Sequence, residues 1–391
     1  MDNLKNIFLI IISTVFAIVL FEIGIRVYNK DYSINLSFKC SKYDVGKGYY
    51  EKDSCYKKFS SKVDHIFYLK TGYLLMPNSG GDSDYYKVNN YFVRDKNSFQ
   101  NIFEKENKVI FTGGSTAFGA GNQQDKTITS FLNNSNSKFY FINSGVGGFG
   151  LMQEINFFRD KLYKYKPNIW FAFTGLNDRY NAYIGEFYYD SPDMKNLMKY
   201  TSKIFGYEID KDFMNKIEYE NYNFKIHYYF KKTFSKNYIR KFDSINLGKY
   251  SNEFKIMDYK IFESKYRADI NNFINVSNFN NVCPVIYLQS SLFDTKKILS
   301  DYENEVFSTF DKVLIRSHKA FYKIQKKILD DYKSEGKIFY LEADDAIKNV
   351  KESLFLDDAH FGSIGNDLIA THIKINIRDI EENCNKTMLR N

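Results

Sequence analysis

The sequence predicts an α/β fold, with helices on both faces of a parallel sheet of about five strands, forming a three-layer α/β/α sandwich. Three observations carry this. Five apolar runs, at residues 109–111, 139–142, 169–173, 282–288 and 338–341, are nearly continuous rather than alternating, as strands covered on both faces are. Apolar residues at helical spacing cover residues 151–165 and 313–332, and a final helix is expected from about 363 to 382. The first three runs each end in a loop rich in Gly and small polar residues. In an open parallel sheet such loops gather at the carboxyl ends of the strands, where ligands bind. The sheet expected is flavodoxin-like.

Taken in order, the chain opens with a short tail, residues 1–6, and then an apolar stretch. Ile7 through Phe21 is interrupted only by Ser13 and Thr14, and Ile23, Gly24 and Ile25 continue it past Glu22. That is about a bilayer's thickness of helix. No small-x-small site follows, and only Lys5 and the amino terminus precede it, so residues 7–26 are expected to be an uncleaved transmembrane signal anchor rather than a cleaved signal peptide. Lys5 on one side and Glu22, Arg26 and Lys30 on the other leave its orientation open. Residues 27–105 form a membrane-proximal segment with short strand-like pieces at 73–77 and 91–94. Within it Cys40 and Cys55 enclose a short polar loop. Paired, they would stabilise the chain by about 3 kcal/mol and require an oxidising compartment; two free thiols are the alternative. Together these features favour placing the following domain, residues 106–384, outside the cytoplasm. Cys283, inside an apolar run, is expected to be a small buried core residue.

The first strand-like run, Val109-Ile110-Phe111, leads into Thr112-Gly113-Gly114-Ser115-Thr116-Ala117-Phe118-Gly119. Two glycines after a strand permit a tight turn. Ser115 then stands at the start of a helix, where free N–H groups can hold negative charge, as a nucleophilic serine needs. Gly-Gly-Ser also marks ordinary turns. A serine hydroxyl needs a base within hydrogen-bond reach. Of the histidines at 65, 227, 318, 360 and 372, only His360 has a carboxylate three residues earlier in a short loop before a Gly-containing helix start. Asp357 can accept from one ring nitrogen and leave the other to take the serine proton; Asp358 competes for the same role. Alone, Asp-Asp-Ala-His also reads as an acidic helix cap.

Four blocks in order, Gly113-Gly114-Ser115, Gly145-Val146-Gly147-Gly148, Gly175-Leu176-Asn177-Asp178 and Asp357-Asp358-Ala359-His360, spread the match from about Val109 to Asn366. On them the chain resembles the SGNH hydrolases, or GDSL-like lipases and esterases. The resemblance implies Ser115 as nucleophile, His360 as base and Asp357 as its orienting group. It also implies an oxyanion hole from the Ser115 N–H, the Gly148 N–H and the Asn177 side-chain amide. The first block departs from Gly-Asp-Ser by carrying Gly114, a change shared by membrane-anchored relatives. Asn177 and Gly148 also suit plain turns.

The activity expected is removal of O-acyl, chiefly acetyl, groups from a cell-surface glycan. An O-acyltransferase using the same acyl-serine, supplied by a multi-pass acyl-donor partner, is an alternative, as is a non-catalytic glycan-binding protein. A mainly helical insertion is expected at about 186–270. Between Lys195 and Lys260 it holds 14 Lys/Arg against 8 Asp/Glu, interleaved with Tyr200, Tyr207, Tyr219, Tyr222, Tyr228 and Tyr229. It reads either as a lid or groove for a sugar or anionic polymer, or as a solvated cap. The Gly145 loop does not match a dinucleotide fingerprint, and no Gly-Lys-Ser/Thr phosphate loop occurs. The cysteines show no ligand spacing and there is no His-Glu-x-x-His, so no metal or cofactor is expected. No nucleic-acid recognition motif occurs, so nucleic acid is not an expected partner.

Overall fold

The computed structural model describes residues 13, 18–20, 65–68, 71–75, 77–80, 86–135, 138–183 and 256–388. All but four residues of the expected anchor, Cys40 and Cys55, and most of the expected insertion lie outside the described residues. No helix among the described residues is long and apolar enough to cross a membrane.

Five strands form one parallel sheet: β1 (Lys108–Gly113), β2 (Tyr140–Gly145), β3 (Ile169–Thr174), β4 (Cys283–Leu288) and β5 (Phe339–Glu342), in the order β2-β1-β3-β4-β5. That order reverses beside β1, as in a flavodoxin-like sheet. Gly113 pairs with Gly145 and with Phe173, and Thr174 with Leu288, so the first four strands stop in one row.

Successive side chains of a strand point to opposite faces, and the sequence fills both. Ile110, Ile142, Trp170, Ala172 and Ile286 belong to one apolar cluster with three helices, α3 (Leu151–Asp160), α5 (Tyr259–Phe279) and α7 (Lys312–Ser334). Val109, Phe111, Phe141, Phe171, Phe173, Val285 and Tyr287 belong to a second cluster with α2 (Ile128–Asn133), α8 (Ala343–Ile347) and α9 (Ser363–Met388). Each large apolar side chain fully buried this way contributes about 1.5–3 kcal/mol over exposure. Trp170 also stacks on Phe158 at 4.0 Å and donates from its indole N–H to Thr112 Oγ1 at 2.9 Å, so its one polar atom is satisfied. Of three shorter helices, α1 (Ser115–Phe118) and α4 (Leu176–Tyr183) directly follow the carboxyl ends of β1 and β3, and α6 (Asp301–Ser308) lies between β4 and α7 in the chain.

Three places differ from expectation. Cys283 is buried, but it is disulfide-bonded to Cys384 of α9 and ties the sheet to its last helix. Residues 91–94 form a turn instead of a strand, because the Asn89 side chain accepts the Tyr91 N–H at 2.7 Å and the chain bends at Phe92, φ 65°. Only the Val88 and Arg94 bridge remains of strand pairing there. Finally, α5 starts at Tyr259, inside the range expected for the insertion, and its Phe262, Tyr266, Ile270 and Phe273 pack into the first cluster. The N-terminal segment is also built into that cluster, through Leu74 and Leu75 of a hairpin (His65–Tyr68 with Gly72–Leu75) and through Val88, Val93 and Ile102.

Candidate active site

Ser115 opens α1, one residue past the turn that leaves β1. A Cβ added to Gly114 would lie 2.2 Å from Asn177 Nδ2 and 3.4 Å from the Phe149 carbonyl oxygen. A side chain here would have to displace the Asn177 amide, at the place where the loops after β1, β2 and β3 close on one another. That amide donates to the Phe149 carbonyl at 2.7 Å. Gly148, φ 80°, lies in the same loop as Phe149, between β2 and α3. Asp178 strengthens the junction, its buried Oδ1 accepting the Leu151 N–H at 3.2 Å at the start of α3.

His360 lies across from this turn. Its Nε2 is 2.6 Å from Ser115 Oγ and its Nδ1 is 2.7 Å from Asp357 Oδ2. A proton on Nδ1 donated to Asp357 leaves Nε2 as acceptor for the Ser115 hydroxyl. Asp357 Oδ1 accepts the Ala359 and His360 N–H groups at 2.8 and 2.7 Å. Burial pushes the Asp357 carboxyl up, but His360 and these two donors outweigh it and hold the pKa below its ordinary value. Of the two aspartates, Asp357 carries the bond to His360 Nδ1, while Asp358 Oδ2 accepts the Tyr180 hydroxyl of α4.

The base loop is held by residues that the sequence motifs do not include. Buried Glu303 of α6 accepts the Leu354 and Phe355 N–H groups at 2.8 and 3.1 Å through Oε1, and the Lys297 ammonium at 2.5 Å through Oε2. Burial raises the Glu303 carboxyl; Lys297 and the backbone donors overcome that and keep it ionised. From the end of β4, Gln289 Nε2 donates to Thr116 Oγ1 at 2.7 Å and to the Ala359 carbonyl at 3.2 Å, linking α1 to the loop that carries His360. The Tyr302 hydroxyl donates to the Leu356 carbonyl at 2.5 Å, and the Leu292 N–H to that of Asp358 at 2.9 Å. Beneath, Arg179 reaches the Gln289 carbonyl at 3.0 Å and pairs with Asp294 at 3.2 Å, both fully buried. Of these, only Gln289 carried a sequence signal, since it directly follows an apolar run at the sheet's carboxyl edge. Among the described residues no group of three His, Cys, Asp or Glu is arranged to hold a metal ion.

No family model and no curated protein matches the chain. Among solved structures it is similar to a GDSL-like lipase from Bacteroides thetaiotaomicron, at 13% identity over 71% of this chain and 90% of that one, TM-score 0.36. A putative acylhydrolase from Bacteroides fragilis is similar at 12% identity, covering 73% and 94%, TM-score 0.38. The acetylxylan esterase Axe2 from Geobacillus stearothermophilus is similar at 12% identity, covering 71% and 94%, TM-score 0.37.

Proposed function

We propose that the chain is a serine acyl-ester hydrolase. The observation that carries this is the continuous relay from Ser115 Oγ through His360 to Asp357, with bonds of 2.6 and 2.7 Å. Ser115 Oγ attacks the ester carbonyl carbon while His360 Nε2 takes its proton. The Ser115 and Gly148 N–H groups and the second N–H of the Asn177 amide bind the oxyanion; one such donor typically accounts for on the order of 3 kcal/mol of the barrier. The carbon–oxygen bond to the alcohol then breaks, and the alcohol leaves with the proton from His360. A water, deprotonated by His360 in turn, attacks the acyl carbon; the bond from that carbon to Ser115 Oγ breaks, His360 returns the proton to Oγ, and the acid leaves.

The substrate class we infer is an O-acyl, chiefly acetyl, ester on a glycan at the cell surface. Its support is the apolar stretch over residues 7–26, read as an anchor, and the Tyr-rich basic segment at 195–260, suited to stacking on sugar faces. The buried Cys283–Cys384 disulfide supports an oxidising, extracytoplasmic setting.

The test is hydrolysis of p-nitrophenyl acetate and longer esters by wild type, Ser115→Ala and His360→Ala. Activity that falls with acyl length and is lost in both variants is expected. Folded wild type no faster than Ser115→Ala would sink the hydrolase reading, and acyl transfer to an added oligosaccharide in place of acid release would make the protein an O-acyltransferase.

A further inference from the structure

Arg94 lies in the segment before the sheet, outside the four motif blocks, and is 1% exposed. Its guanidinium embraces the turn that follows the nucleophile. Nη1 donates to the Phe118 and Gly119 carbonyls at 2.7 and 3.0 Å, Nη2 to the Asn122 carbonyl at 2.8 Å, and Nε to Gln124 Oε1 at 3.0 Å. The Arg94 N–H donates to the Asn143 carbonyl at 2.9 Å, and the Asn143 side-chain amide donates to the same Phe118 carbonyl at 3.1 Å. The guanidinium also sits over the Phe118 ring, 4.5 Å from its centre.

The Phe118 and Gly119 carbonyls belong to the end of α1, where a helix leaves acceptors without intrahelical partners, and Asn122 lies in the turn just beyond. The same turn grips the nucleophile: the Gly119 and Ala120 N–H groups both donate to the Ser115 carbonyl at 2.9 Å. Arg94 is thus two hydrogen bonds from the Ser115 backbone. Burial lowers its pKa to about 9, still above neutrality, so the chain keeps a desolvated cation at this spot. A planar fork of five donors can span three carbonyls and an amide at once; a lysine ammonium, a single point of charge, cannot.

We propose that Arg94 is a positioning residue for Ser115, fixing the turn that sets the nucleophile against His360, and that the segment around it is part of the catalytic assembly. This rests on the serine-hydrolase reading above.

The test compares full-length wild type, Arg94→Met and Arg94→Lys in p-nitrophenyl acetate hydrolysis and in the rate of labelling by a fluorophosphonate, each normalised to folded protein by circular dichroism. A displaced nucleophile is expected to lower kcat on the order of 10–100-fold. KM and the pH profile should stay as in wild type, labelling should slow in step with kcat, and Lys should do no better than Met. Folded Arg94→Met with wild-type kcat and labelling would overturn the proposal. So would loss of cooperative folding in both variants, which would make Arg94 a residue of the scaffold alone. Wild type that neither hydrolyses nor labels would remove the serine-hydrolase reading itself, and this proposal with it.

Discussion

On the Ser115 side of the site, a four-residue helix is pinned by backbone hydrogen bonds, by the bare Cα of Gly114 against Asn177 and by the Arg94 guanidinium on its last carbonyls. On the base side, Asp357 and His360 sit in a loop between Leu354 and Gly362, whose two ends are joined by the Gly362 N–H donating to the Leu354 carbonyl. That loop is fixed by side chains arriving from elsewhere, Glu303, Tyr302 and Gln289. The glycines that permit the turn are consecutive in sequence, although Asn177 and Arg94 brace it from a distance. A loop that must hold an imidazole needs acceptors and donors from other elements, which only the finished fold supplies.

The largest effect that separates the two aspartates is expected at Asp357. Asp357→Asn should drop kcat by about 10⁴-fold, because an amide that donates to Nδ1 selects the wrong tautomer. Asp358→Asn should leave the rate close to wild type, since Tyr180 takes that side chain; equal losses in steady-state assays of the two would break the assignment. Next comes Glu303→Gln, which leaves Lys297 buried without its anion. Loss of about 3–5 kcal/mol of stability is expected in denaturant titration. An unchanged midpoint would show that the loop does not depend on this pair.

Gly114→Ala tests the other side. Its methyl would collide with the Asn177 amide, and displacing one oxyanion donor should cost about 3 kcal/mol in the barrier, read as kcat with little change in KM. An effect on stability alone, spread over several pH units, concerns Glu154, buried on α3 beside Thr112 and Asp178, whose carboxyl burial raises to about 8. An unfolded glutamate titrates near 4.3, so between roughly pH 4.3 and 8 the folded chain holds a proton that the unfolded chain has released. Stability should therefore fall as pH rises through this window, by up to about 1.4 kcal/mol per unit. Glu154→Gln should flatten that slope and be the more stable form at pH 8; parallel melting curves for the two proteins across the window would contradict it.

How much was legible in the sequence follows the same division. The strand runs, the Gly-Gly-Ser turn, Asn177 and the Asp-x-x-His spacing could be read because each signal lies within a few residues. The choice of Asp357 over Asp358 is carried in the sequence only by the family resemblance; the residues themselves leave it open, and Tyr180, which holds Asp358, lies 178 positions away. Glu303 acts 51 and 52 positions from its partners and Gln289 acts 173 from Thr116, separations that leave no periodic trace. Cys283 looked like core because it is core; its bond to Cys384 spans 101 residues of chain. Residues 91–94 misled because apolar content suggested a strand while the Asn89 side chain imposed a turn.

The most direct test of the central claim is labelling of the full-length chain with a fluorophosphonate, followed by mass-spectrometric mapping of the adduct. A single adduct on Ser115 is expected, absent from Ser115→Ala and strongly slowed in His360→Ala. No adduct in folded wild type, or an adduct that His360→Ala forms just as fast, would contradict a nucleophile activated by His360.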